Sequence, residues 1–195
     1  SITYSGDSQA QVISLISSDH TLNLYDKADN SGTITGGKGG GVVVNSGVFN
    51  MYGGTISGNR GMYGGGVCVS VDNSFNGSTF TMSGGRITNN EAYNDKYGYG
   101  SLGGGVFVSG SCSFSISGTA SITGNKAGAY GGGVYVNGGD SSSSDTPGNL
   151  IISGGAVING NTNSAEDPTA SNVFLGKDYN NPQNPDFDAK ITIAG

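Results

Sequence analysis

The phrase GGGVxV occurs four times, as GGGVVV from Gly39, GGGVCV from Gly64, GGGVFV from Gly103 and GGGVYV from Gly131. Its recurrence marks a chain built from one unit many times over rather than a chain with glycine linkers. The same sequel follows each triplet: a second alternating segment, then a short isoleucine segment closing on Ile-x-x-Asn. The copies run GGGVVV, VFNMYGG, TISGN, then GGGVCV, STFTMSGG, RITNN, then GGGVFV, CSFSISG, ASITGN, and last GGGVYV, NLIISGG, AVINGN. Short stretches of apolar and polar alternation, punctuated by Gly, Asn and Ser, are a strand signal and not a helix signal.

One such unit cannot bury its apolar face alone, but a stack of units can. The intervals between triplets are unequal, and the extra length falls in polar stretches such as 91–102 and 138–148, where a loop leaves a coil without disturbing its strands. The pattern predicts an all-β fold, a right-handed single-stranded parallel β-helix with three short strands per coil and about five to seven coils. Residues 1–38 are expected to form an N-terminal cap and opening coil, 39–171 the four triplet repeats with their loops, and 172–195 a final coil. That last coil is expected to continue in the natural chain or to be covered by a partner, since an exposed coil end is a sticky edge.

Alternation assigns the interior. Val42 and Val44, Val67 and Val69, Val106 and Val108, and Val134 and Val136 point inward from the first strand. Phe49 and Met51, Phe80 and Met82, Phe114 and Ile116, and Leu150 and Ile152 do so from the second, and Ile56, Ile87, Ile122 and Ile158 from the third. Upstream, SQAQVISLISS reads as a short capping helix with Val12, Leu15 and Ile16 on one side, or as a strand; so short a run does not arbitrate. Gly64, Gly103 and Gly131 suit corners, where a residue without a Cβ accepts positive φ and lets coils approach. Asn59, Asn90, Asn125 and Asn161 recur at another corner. Asn tolerates the left-handed conformation, and stacked Asn side chains can hydrogen-bond one above the next, so a structural ladder is expected there.

Composition bears on partners. Glycine supplies 38 of 195 residues and the large aliphatic content is low, yet the net charge of -6 is modest and the apolar residues are strictly placed, which favours an ordered chain over a disordered one. Eight Lys plus Arg without a basic cluster argue against nucleic acid and against an anionic membrane surface. No apolar run reaches the length of a membrane span, and Ser1 to Ala10 lacks the basic start and apolar core of a signal peptide, so any export signal is expected outside this sequence.

GGGVFV followed by ITNN resembles the GGA(I/L/V) and FxxN pair of the chlamydial polymorphic outer-membrane-protein repeats, with Ile in place of Phe in the second motif. More broadly, residues 20–175 resemble the β-helix repeats of large bacterial cell-surface, adhesin-like proteins. The resemblance implies an extracellular, surface-attached location and an adhesive or spacer role, with a glycan or surface protein of a host or neighbouring cell as partner. These motifs consist of core and corner residues, so they specify fold more than function.

A parallel β-helix also suggests a carbohydrate-active enzyme, a polysaccharide lyase or hydrolase with a loop-built site. Such chemistry needs clustered carboxylates, or Asp with Arg or Lys, on one outer face. None of the fourteen acidic residues is expected on the repeating strands, and Arg60 and Arg86 have no acidic neighbour in sequence. No catalytic residue is assigned. His20 reads as a polar residue at a strand entrance, and no G-x-S-x-G elbow exists. Gly98 to Gly103 matches G-x-G-x-x-G, but a strand rather than a helix follows it. Cys68 points outward and Cys112 inward, so no disulfide is expected between them, and one His with two Cys makes no zinc site. No cofactor is implied. Calcium is possible in the oxygen-rich loops from Asp140 and from Asp178, of which the second is the stronger candidate, although neither has EF-hand spacing.

One surface feature stands out. Outward positions of the first strand stack as Val43, Cys68, Phe107, Tyr135 and Phe174, among neighbours that are mostly Ser, Thr and Asn. Phe107, Tyr135 and Phe174 are therefore the candidate ligand-binding residues, unless a loop such as 91–102, with Tyr93, Tyr97 and Tyr99, folds over them. A flat Thr-x-Thr array of the ice-binding kind is too sparse, with Thr33 to Thr35 and Thr79 to Thr81 alone.

Overall fold

Two columns of valine run through the interior. Val42, Val67, Val106 and Val134 lie in register, as do Val44, Val69, Val108 and Val136, and all eight are fully buried. Branched side chains with a stiff χ1 suit this position, because a parallel strand covered by other elements packs its inward face without water. The computed structural model describes residues 1–6, 8–26, 31–71, 77–93, 100–142, 145–163, 170–177, 183, 186 and 188–194.

The valine sheet contains Ile13–Leu15, Val42–Asn45, Val67–Ser70, Val106–Val108, Val134–Val136 and Val173–Leu175. A phenylalanine sheet follows it around each coil, with Thr21–Leu24, Val48–Met51, Thr79–Met82, Ser113–Ile116, Asn149–Ser153 and Lys190–Ala194. The isoleucine sheet closes the third side with Ile2–Thr3, Thr33–Thr35, Thr55–Ser57, Arg86–Thr88, Ser121–Thr123 and Val157–Asn159. Each strand pairs in parallel with its counterpart one coil away, for example Phe80 with Phe49 and Phe114, and this is a parallel β-helix. Four successive coils add a fourth strand of two residues, Arg60–Gly61, Glu91–Ala92, Lys126–Ala127 and Thr162–Asn163. Two residues are too few to show alternation, so this side was invisible in the sequence.

Like side chains meet along the axis. The rings of Phe49, Phe80 and Phe114 stack at 4.7 Å between centroids, the coil spacing expected of paired strands at about 4.8 Å. Ile34, Ile56, Ile87 and Ile122 are buried behind the isoleucine sheet. At the N-terminal side the strand alternative holds for 8–18: Ile13 and Leu15 pair with Val42 and Val44, Leu15 is buried, and Ile16 is 73% exposed. The period is 2 here, because the neighbouring coil offers a sheet edge on which to continue.

The four corner asparagines stand in one buried line. Asn59 Nδ2 donates to Asn90 Oδ1, Asn90 Nδ2 to Asn125 Oδ1 and Asn125 Nδ2 to Asn161 Oδ1, each at 3.0 Å. Each amide also donates to a backbone carbonyl of the preceding coil, as Asn90 does to Ile56 O at 2.9 Å. The oxygens of Asn90, Asn125 and Asn161 accept a second bond from the preceding ladder residue's backbone N–H, as Asn125 Oδ1 does from Asn90 N, while Asn59 Oδ1 accepts from Gly37 N at 3.0 Å. One part of the expectation is corrected: the left-handed residue is not the ladder asparagine but the one before it, Gly58, Asn89, Gly124 or Gly160. The ladder position selects Asn for its side chain, and the turn selects the residue before it.

Glycine triplets serve this corner. Gly64, Gly103 and Gly131 take φ of 65°, 70° and 65°, where L side chains are strained. The third glycine answers a different need. A Cβ on Gly105 would stand 2.6 Å from Gly133 O, 2.9 Å from Ile122 Cγ2 and 3.1 Å from Asn125 Nδ2.

Two stability measurements follow from this packing. Asn90→Ala and Asn125→Ala each leave buried donors without acceptors and are expected to cost about 2–4 kcal/mol in denaturant unfolding, at about 1–3 kcal/mol per orphaned group. Gly105→Ala overpacks the same corner and is expected to cost about 1–3 kcal/mol. Unchanged unfolding midpoints would show that the corner is looser than described.

Candidate functional site

The outward row of the valine sheet is continuous. Val43, Cys68, Phe107, Tyr135 and Phe174 are register partners in successive coils. Phe107 and Tyr135 stack at 5.7 Å and 6° between planes, and Tyr135 and Phe174 at 5.4 Å and 10°. The rings face one another, so they turn edges rather than faces to the outside.

A second row lies beside the first. Tyr63, Leu102 and Tyr130 are linked by parallel bridges just ahead of the triplet strands. Tyr63 packs on Phe107 at 5.1 Å, tilted by 42°, and Tyr130 stacks on Phe174 at 4.5 Å. The two rows form one aromatic band along the coil axis. Within it the exposed rings are Tyr63 and Tyr130, at 41% and 52%.

This changes the place of Tyr135. The sequence pattern put its ring outside and free, whereas it is 9% exposed, held between Phe107 and Phe174 with Tyr130 nearby. Burial pushes its hydroxyl pKa up. Phe107 and Phe174 are half-buried, so the surface a partner meets is set largely by Tyr63 and Tyr130. Both were missed because they precede the triplets by one residue and lie outside any alternating run. The aromatic immediately before the first triplet glycine in MYGGG and AYGGG was the available signal. The loop considered as a cover is described only in part. Tyr93 lies under the Arg60 guanidinium, 3.7 Å from it, while Tyr97 and Tyr99 fall outside the described residues.

The carboxylates are placed differently from expectation at one point. Glu91 does sit on a repeating strand, the short one, and accepts from Arg60 Nε at 3.1 Å across one coil step, with Lys126 its register partner on the other side. Arg60 thus has an acidic neighbour that sequence distance concealed. The pair is substantially exposed, and such bridges contribute at most about 1 kcal/mol. Among the described residues Glu91 is the one carboxylate on the strands. In the loop from Asp140, Asp140 Oδ1 accepts from Ser142 N and Oγ, and Asp145 Oδ1 from Ser111 Oγ at 3.0 Å. The alternative calcium loop, from Asp178, lies mostly outside the described residues. Among those described, no three acidic, His or Cys side chains gather as a metal site. His20 is exposed and uses its backbone, its carbonyl accepting from Val48 N.

Comparison with known proteins finds no matching family model, no matching curated protein and no matching solved structure.

Cys68 and Cys112 are both free thiols. Burial pushes Cys68 up to about 12 and Cys112 up to about 11, from an ordinary 9.0. The folded chain therefore holds both thiols protonated above the pH at which the unfolded chain ionises them. Their contribution to stability is complete below about pH 9 and falls away as pH rises through the folded values. The melting temperature is expected to drop between pH 8 and about pH 11, and to drop less in Cys68→Val. Thiol reagents at neutral pH should label neither cysteine until the protein is unfolded. Removing Tyr135 tests the band's packing: Tyr135→Ala is expected to cost about 1–3 kcal/mol, unlike an exposed ring.

Proposed function

We propose that this protein is a non-catalytic extracellular module, an adhesive or spacer segment of a bacterial cell-surface β-helix, that contacts a glycan or surface protein of a host or neighbouring cell. The observation that carries the reading is the aromatic band of Tyr63, Tyr130, Phe107 and Phe174, which runs along the axis and suits an elongated partner. Aromatic rings bury large area at low conformational cost, and tyrosine keeps a hydroxyl for hydrogen bonding at a wet interface.

Three further observations support it. The sequence resembles adhesin-like repeats in its GGGVFV and ITNN motifs. The one strand carboxylate among the described residues is tied to Arg60, which favours a binding surface over an acid–base pair. Cys112 is buried and Cys68 half-buried, and both thiols are held well above their ordinary pKa, which suits an oxidising exterior without a disulfide.

The test is a binding assay on arrayed mammalian and bacterial glycans and on matrix proteins, with release of sugar ends measured in parallel. The double variant Tyr63→Ala, Tyr130→Ala is expected to weaken adhesion by about tenfold or more, equivalent to about 1.4 kcal/mol, with little change in melting temperature. Cleavage of an arrayed glycan, or adhesion unaltered in the double variant, would overturn the reading.

A further inference from the structure

The phenylalanine sheet carries a second aromatic feature, on a different side of the coil. Tyr25 and Tyr52 follow two adjacent strands of that sheet and stack at 4.6 Å with 8° between planes. They are 64% and 47% exposed. Backbone bonds fix the register beyond them: Tyr52 N donates to Leu24 O, Ser83 N to Met51 O and Ser117 N to Met82 O. Tyr25, Tyr52, Ser83 and Ser117 are thus one row, and the ring stack stops at Ser83.

The stop makes a step one ring deep. Tyr25 covers one face of Tyr52, and the other face looks along the axis toward the next coil, where Ser83 is its counterpart. A neighbouring row adds polar groups. Asn23, Asn50, Thr81 and Ser115 are register partners, and Asn50 Nδ2 donates to Asn23 Oδ1 at 2.9 Å, which leaves Asn50 Oδ1 outside that bond. The outward positions of this sheet hold no charged side chain before Lys190. The carboxylate nearest in sequence, Asp26, accepts from Gly32 N at 2.8 Å.

We propose that the step between Tyr52 and Ser83 is a subsite for one pyranose ring of a neutral polysaccharide. A pyranose has an apolar C–H face that lies flat on an aromatic ring and a rim of hydroxyls that both donate and accept. Tyr52 supplies the ring, Asn50 an amide oxygen, and Thr81 and Ser83 hydroxyls. The coil repeat matches the thickness of a stacked ring, so the sugar takes the place a third tyrosine would have. Ser115 and Ser117 continue the hydroxyl rows one coil further, which directs a longer chain along the axis. The uncharged outward rows of this sheet select a neutral sugar, because an anionic one lying on them would leave water and gain no counter-charge from them.

This site is independent of the valine-sheet band and is tested separately. Oligosaccharides cut from cellulose, xylan and mannan are titrated into the intact protein, read by tyrosine fluorescence, which no Trp obscures, and by calorimetry. At least one is expected to bind in the millimolar range or tighter. Tyr52→Ala should weaken it about tenfold or more. Ser83→Tyr, which extends the stack and fills the step, should block it as strongly while keeping the melting temperature. Tyr63→Ala with Tyr130→Ala should leave it unchanged. Failure of all three sugars to bind, binding unaltered in both Tyr52→Ala and Ser83→Tyr, or loss in the valine-sheet variant would each overturn the proposal.

Discussion

The buried amides at the corner of the isoleucine sheet dictate much of the repeat. An asparagine there must donate and accept along the axis in every coil, because a buried amide without partners is costly. That demand fixes the position after the left-handed turn, and it brings Ile122 and Asn125 against Gly105, which must then lack a side chain. The motif is one interaction written at three places in the sequence. Beyond Asn161 the partner comes from elsewhere: Asn172 occupies the third-glycine position and supplies the oxygen to Asn161 Nδ2 at 3.2 Å. There the amide line passes to a residue of the next strand's approach.

The interior was legible because alternation and stacking say the same thing at each level. Val67, Val106 and Val134 needed no more than their parity and their triplets to be placed in one column. The fourth side was not legible, because Glu91–Ala92 and its equivalents are two residues long and carry no period. Its consequence was a misplaced charge: the approach of Arg60 to Glu91 depends on coil stacking, not on sequence distance. Tyr135 failed for another reason. Parity shows which way a side chain leaves the sheet but not what then lies over it, and Tyr130 and Phe174 lie there.

The two outer surfaces divide by chemistry. On the valine sheet the rings pack on one another in two rows, so what they offer outward is a ridge of edges and hydroxyls. On the phenylalanine sheet a stack breaks off beside amides and hydroxyls, and what it offers is a flat face at a step. Both rest on the same geometric fact, that a parallel coil repeats each position at about the thickness of a ring.

Among the described residues each strand pairs in parallel with its counterparts in adjacent coils, and Thr162 adds one antiparallel bridge to Ala170. A coil therefore requires nothing from residues still to be synthesised, since its template is already complete behind it. Such a chain can wind up in order from either end, and a block on one coil stalls those beyond it without undoing those already formed. Length then becomes adjustable, because adding a coil extends the rod and asks for no new core.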